Sequence, residues 1–209
     1  MRIRITFSKS GPMQYVGHLD LHRSWERTFR RSGLPLAYSQ GFHPQPRLNL
    51  ACALPVGFTS QCEILDAWLE EEIPIDQIRK AVASAVPPGL EVLGLEMIDL
   101  QAPALQTQVT SAVYIITLLD EIPDLDDRLQ KIISADHLPR LRRNKSYDLR
   151  SLIERIVLHA QNEGRKCSIG VQLAAREAAT GRPEELLDEM GIKFEATHVH
   201  REKLILAGS

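Results

Sequence analysis

Arg23, Arg27, Arg30 and Arg31 recur at three- and four-residue spacing, which on a helix lines their guanidiniums along one face. Such a row is an electrostatic footprint for phosphates, because each guanidinium stays charged and offers a planar fork of donors. The chain then supplies Tyr38, Phe42, His43 and Arg47 within a Gly- and Pro-rich loop, Tyr38-Ser39-Gln40-Gly41-Phe42-His43-Pro44-Gln45-Pro46-Arg47. Rings beside arginines are what single-stranded RNA needs: bases stack on the rings while guanidiniums hold the backbone. A second cluster, Arg140, Arg142, Arg143, Lys145 and Arg150, adds five positive charges within eleven residues. Together these side chains are the expected nucleic-acid-binding set. A protein-docking surface and a plain solvated face are the competing readings.

Other chemistry is sparse. The chain lacks a Ser nucleophile elbow, a phosphate-cradling Gly loop, a His-Glu-x-x-His helix and a Cys-x-x-Cys pair, so no catalytic residue is assigned. Cys52, Cys62 and Cys167 are too far apart for the closely spaced trio that holds an iron–sulfur cluster, and they read as small buried hydrophobes. His18 and His22 lie four apart on one predicted helix, but no third ligand follows at short range. One packed and one exposed imidazole is the expectation there, and His198 and His200 read as surface residues of a strand. No metal site is expected. A metal-free RNA nuclease needs only a base such as His43 beside Lys9 and Arg47, a reading that rests on analogy of fold.

The elements that must position these groups follow from periodicity. Residues 2–8 alternate strictly and predict a strand with Ile3, Ile5 and Phe7 inward. A helix runs from after Gly17 to Ser32, with Leu21, Trp25 and Phe29 as its apolar stripe and Gly33 as its stop. Leu48–Leu54 and Cys62–Leu69 read as strands, Pro74 opens a second helix that stops at Pro87-Pro88-Gly89, and Leu90–Ile98 reads as a strand. Strand, helix, strand, strand, helix, strand is the order of the ferredoxin-like split βαβ. The order repeats through strands at 112–119, 155–160, 167–174 and 194–206, an Asn162-Glu163-Gly164 turn, and helices at 124–133 and 183–190. The expected fold is therefore α+β: two ferredoxin-like split βαβ halves, with antiparallel sheets and helices on one face. The boundaries are residues 1–100, a linker at 101–111, and 112–209. Residues 134–154 fit neither helix nor strand cleanly.

Composition narrows the setting. Hydrophobic residues make up 44% of the 209 and charged residues 25%, which excludes wholesale disorder. No apolar run reaches the eighteen or so residues of a spanning helix, and Met1–Lys9 lacks an apolar signal core. An odd number of cysteines argues against a disulfide framework and for a reducing compartment, so a cytoplasmic location with no membrane partner is expected. Charge is segregated. Residues 1–50 carry eight Lys or Arg against two acids, residues 51–127 two against fourteen, and the remainder fifteen against eleven. Two basic segments flank an acidic one.

Three segments carry a family resemblance: Phe7-Ser8-Lys9-Ser10-Gly11-Pro12, Gly17-His18-Leu19-Asp20-Leu21, and the run from Gly33 to Pro44. Together they resemble the N-terminal signature of the radical-SAM-linked proteins, a domain of unknown function, and Tyr147-Asp148-Leu149-Arg150 resembles a second signature of that family. The resemblance implies a radical-SAM protein as partner, with RNA or a ribosome-associated component as a further one. The iron–sulfur cluster and S-adenosylmethionine are then expected only in the partner, with no cofactor in this chain. His43 stands where that family frequently has Asn. The expected function is a non-catalytic accessory protein of a radical-SAM enzyme that binds or presents RNA. The alternatives are a protein-only adaptor that docks the enzyme through the acidic middle segment, and the metal-free nuclease.

Overall fold

In the structure, a computed structural model that describes residues 1–159 and 166–208, the N-terminal alternation becomes strand β1 (Arg2–Lys9). After a 3-10 turn at Gly11–Tyr15 come α1 (His18–Ser32), β2 (Leu48–Leu50), β3 (Thr59–Trp68), α2 (Ile75–Ala85), β4 (Leu90–Ile98) and a single helical turn, α3 (Leu105–Gln108). These form the first of two compact units, Met1–Val109; the second is Thr110–Ser209. Within the first unit the strands lie side by side as β2-β3-β1-β4, every neighbouring pair antiparallel.

The inward side chains of β1 meet the apolar stripes of both longer helices. Ile3, Ile5 and Phe7 form one core with Leu21, Trp25 and Phe29 of α1 and Ile78 and Val82 of α2. Phe7 and Trp25 meet edge to face at 4.8 Å, a geometry that complements the ring quadrupoles. Burying each of these side chains contributes roughly 1.5–3 kcal/mol. Helix α1 ends where Gly33 adopts φ 71°, a left-handed conformation that L side chains enter at a cost.

Three expectations change. The strand predicted at Leu48–Leu54 is three residues long, because after Ala51 donates to Ile64 O the chain turns away toward Gln14, whose carbonyl receives the Gly57 N–H. Cys52 therefore sits in a loop, and all three cysteines are half-buried rather than core residues. The segment 101–111 is not a free linker. Leu105 is buried, Val109 already opens the next strand, and Arg2 donates to Ala102 O at 2.6 Å and Pro103 O at 2.9 Å. Its polar composition hides that anchorage, since one leucine and two backbone carbonyls hold it.

The second unit contains β5 (Val109–Leu118), α4 (Leu125–Ser134), β6 (Pro139–Arg142), β7 (Lys145–Asp148), β8 (Ile153–His159), β9 (Ser168–Arg176), β10 (Ala179–Thr180), α5 (Pro183–Glu189) and β11 (Thr197–Leu206). Strand β9 runs antiparallel between β5 and β8, β11 lies beside β5, and β10 pairs the end of β9. The stretch left open in the sequence folds as the β6–β7 hairpin. Arg143 and Asn144 close it with φ of 50° and 62°, the two left-handed residues of a type I′ turn. The Asn162-Glu163-Gly164 turn lies outside the described residues. No helix among the described residues is long and apolar enough to cross a membrane.

Candidate nucleic-acid interface

Trp25 and Phe29 bury one face of α1, so Arg23, Arg27, Arg30 and Arg31 are all exposed. Most of them nevertheless have protein partners. Arg23 donates to Asp20 and Arg30 to Glu26, each at 3.0 Å. Arg31 reaches across to α2, where Nε and Nη2 donate to Ala85 O at 3.2 and 2.6 Å. It thereby satisfies a carbonyl that the last turn of α2 leaves without an intrahelical donor. Arg27 alone of the four makes no hydrogen bond or ion pair among the described residues. Exposed pairs such as Arg23–Asp20 are worth about 1 kcal/mol or less, so they blunt the basic stripe without locking it.

The loop after α1 is built on a fixed base. Ala37 N–H donates to Trp68 O at 2.7 Å, Arg47 N–H to Ala37 O at 2.8 Å and Trp68 N–H to Arg47 O at 3.1 Å. Higher up, Tyr38 and Pro46 form a bridge, Ser39 N–H donates to Gln45 O at 2.8 Å, and Gln45 N–H donates to Ser39 Oγ at 2.9 Å. Beyond these bonds the tip projects into solvent: Phe42 has a relative exposure of 102%, and Tyr38 and His43 are exposed as well.

Trp68 carries the loop base on its ring. The guanidinium carbons of Arg47 and Arg2 each lie 4.9 Å from its centroid, within cation–π range. Arg2 is held in turn by Asp66, a fully buried carboxylate. Arg2 donates to it through Nε at 3.1 Å and Nη2 at 2.6 Å, and Arg4 through Nε at 2.7 Å and Nη2 at 2.9 Å. Hydrogen bonding to Asp66 raises the Arg4 pKa above its ordinary value despite the opposing effect of burial. Sequence reading missed this network. Its signal was there, in two arginines on the outward positions of β1 and a lone acid, Asp66, in an otherwise apolar stretch of β3.

The second basic cluster is largely a clamp. Arg140 binds Asp188, the Glu185 carbonyl and Glu189. Arg142 grips both carboxylate oxygens of Glu185, donates to Thr180 O at 2.9 Å and lies 4.7 Å from the Tyr147 ring centroid. Arg150 donates to Ile153 O and Ile133 O. The Arg140 and Arg142 bonds pin the β6–β7 hairpin to α5 and to β10, whereas those of Arg150 tie the turn after β7 to α4 and the start of β8. Arg143 and Lys145, at the hairpin tip, are exposed and unpaired among the described residues.

The nuclease constellation is not assembled. Lys9 is fully buried, so it cannot meet a substrate beside His43 on the exposed loop. His18 is exposed, whereas His22 Nε2 lies 3.2 Å from Leu48 O. His198 is exposed but His200 is half-buried, with its pKa lowered by burial and then by His198. No three His, Cys, Asp or Glu side chains converge as a metal requires among the described residues.

Residues 2–183 match the family described as "Uncharacterized protein conserved in bacteria (DUF2344)". The chain belongs to this family. No curated protein matches the chain. Among solved structures it is similar to a chain of an H/ACA RNP bound to a substrate RNA containing 2'-deoxyuridine, at 12% identity and a TM-score of 0.47, over 97% of this chain and 47% of that one. It is also similar to a chain of a Cbf5-Nop10-Gar1 complex, at 12% identity and a TM-score of 0.49, over 97% of this chain and 48% of that one. This family member thus spans about half the length of the solved chains it matches.

Proposed function

We propose that the chain binds single-stranded RNA through the loop of residues 38–47 and presents it to a radical-SAM partner without carrying out the reaction itself. In this reading the iron–sulfur cluster and S-adenosylmethionine belong to the partner. The observation that carries it is Phe42, a ring entirely in solvent on a loop whose base is fixed by paired backbone bonds. The paired base of the loop brings this ring close to where a nucleobase would stack, so binding has to order only the loop tip and the ring itself. Stacking of this kind contributes about 1–3 kcal/mol per base. Arg27 and Arg47 supply exposed guanidiniums without a carboxylate partner. The finer fold reading, two ferredoxin-like halves, is supported by the orders β2-β3-β1-β4 and β8-β9-β5-β11. Counting only the four strands of each order along the chain, the third and first lie centrally. A helix lies between first and second and between third and fourth, with the β6–β7 hairpin and β10 as additions in the second unit.

Fluorescence anisotropy with a labelled uridine decamer at low salt tests the reading. Phe42→Ala should weaken binding roughly 5- to 150-fold while leaving the salt slope nearly unchanged. Arg27→Ala with Arg47→Ala should flatten that slope by roughly 0.7 for each phosphate no longer neutralised. Absence of binding by the unaltered protein would sink the proposal. The adaptor reading has its own support in Tyr15, Leu19 and Val56, apolar side chains exposed around the start of α1. It replaces the RNA reading if the protein binds a radical-SAM partner and no RNA.

A further inference from the structure

The second unit holds a cleft of about 590 Å³ between the tip of the β6–β7 hairpin and the turn that joins β9 to β10. That volume matches a ligand of nucleotide size rather than a bare anion. Arg143, Lys145, Ser146 and Tyr147 line one wall, and Ala178 and Thr180 line another.

Charge accounting singles out the tip. Arg142 is neutralised by Glu185 on both carboxylate oxygens. Asp148, the acid of the lining, accepts from Leu138 N–H at 2.8 Å and Arg150 N–H at 2.9 Å, and its other oxygen lies 3.0 Å from His137 Nδ1. Its charge is thus directed at the hairpin's own backbone and at His137. Arg143 and Lys145 remain, one residue apart, with no protein partner among the described residues.

Backbone geometry fixes where those cations stand. The I′ turn places Arg143 at φ 50°, a conformation that Gly or Asn adopts with less strain. Asn144 at φ 62° suits the turn; Arg143 does not, so its guanidinium is kept at the lip against local preference. On the opposite lip Ala178 is also left-handed, at φ 64°. Non-glycine residues held in this region concentrate at ligand clamps and active sites. Tyr147 adds a ring within the cleft, and burial and then Glu185 raise the pKa of its phenol above the ordinary value.

We propose that this cleft binds a phosphate-bearing ligand of nucleotide size, with Arg143 and Lys145 on the phosphate and Tyr147 beside the attached group. The site lies wholly in the second unit and does not depend on the reading of the Phe42 loop. Calorimetric titration at low salt tests it with AMP, adenosine, and a tetraribonucleotide with either a 5'-phosphate or a 5'-hydroxyl end. AMP or the phosphorylated oligonucleotide should bind with a stoichiometry of one, and the phosphate-free counterparts at least tenfold more weakly. Binding of AMP identifies a free nucleotide; binding of the phosphorylated oligonucleotide alone identifies a chain end, and either supports the site. Arg143→Asn with Lys145→Ser preserves the turn and should weaken binding at least tenfold with a melting temperature no lower than that of the unaltered protein. A matched removal of charge elsewhere in the unit, Lys193→Ser with Lys203→Ser, should change it less than twofold. The proposal is overturned if neither phosphate ligand binds, if adenosine binds as tightly as AMP, or if the cleft variant binds like the unaltered protein.

Discussion

Asp66→Ala is expected to be the most damaging single substitution of a charged side chain in the first unit. The carboxylate is fully buried and accepts four N–H bonds from the guanidiniums of Arg2 and Arg4, both of which are buried as well. Removing one member of a buried ion pair costs about 3–5 kcal/mol, because the partner stays desolvated and uncompensated. Here one deletion strands two cations, so the upper part of that range applies. Whole-domain stability is only about 5–15 kcal/mol. Both tryptophans, Trp25 and Trp68, lie in the first unit, so urea unfolding followed by tryptophan fluorescence reports on it selectively. With a urea dependence of about 1–3 kcal/mol per molar, the midpoint should fall by roughly 2 M. The damage should also reach the RNA loop, since Arg2 and Arg47 both pack on Trp68. Asp66→Leu combined with Arg4→Met should be less damaging than Asp66→Leu alone, because one stranded cation is gone. A midpoint shift below about 0.5 M for Asp66→Ala, with an unchanged slope, would refute the reasoning.

Glu184 carries a buried Oε2 without a hydrogen-bond partner among the described residues, and burial raises its pKa. The folded state therefore holds the proton more tightly than the unfolded chain. The associated stability is present below the ordinary carboxylate range and disappears as pH rises through the folded pKa. Glu184→Gln should stabilise the protein by about 1 kcal/mol at neutral pH and give no advantage in acid, as read by thermal melts across pH. At Gly89, φ is 93° and an added Cβ would lie 2.6 Å from Ser10 O and 2.9 Å from Met13 Cγ. Gly89→Ala should cost more than about 1 kcal/mol in the same urea assay; an unchanged midpoint would show that the Ser10–Met13 turn shifts freely to admit a methyl group.

Much of the scaffold was legible in local pattern. The two-residue period of Arg2–Lys9, the Leu21-Trp25-Phe29 stripe and its Gly33 stop, and the strand at Leu90–Ile98 need only a few neighbouring side chains to define a face. The aromatic loop was legible too, because Gly and Pro exclude regular structure whatever packs around them. Which arginines remain free was not. Arg142 finds Glu185, Arg140 finds Asp188 and Arg31 finds the Ala85 carbonyl, partners 43, 48 and 54 residues away. Local spacing places a charge on a face but carries no information about what the fold brings opposite it. The same limit hid Asp66, 62 and 64 residues from its arginines, and let Lys9 stand beside His43 in the nuclease reading when the fold buries it completely. Local sequence pattern determined most of the elements and the loop that carries Phe42; long-range pairing, which only tertiary structure decides, reduced the expected basic set to Arg27 and Arg47 in the first unit and Arg143 with Lys145 in the second.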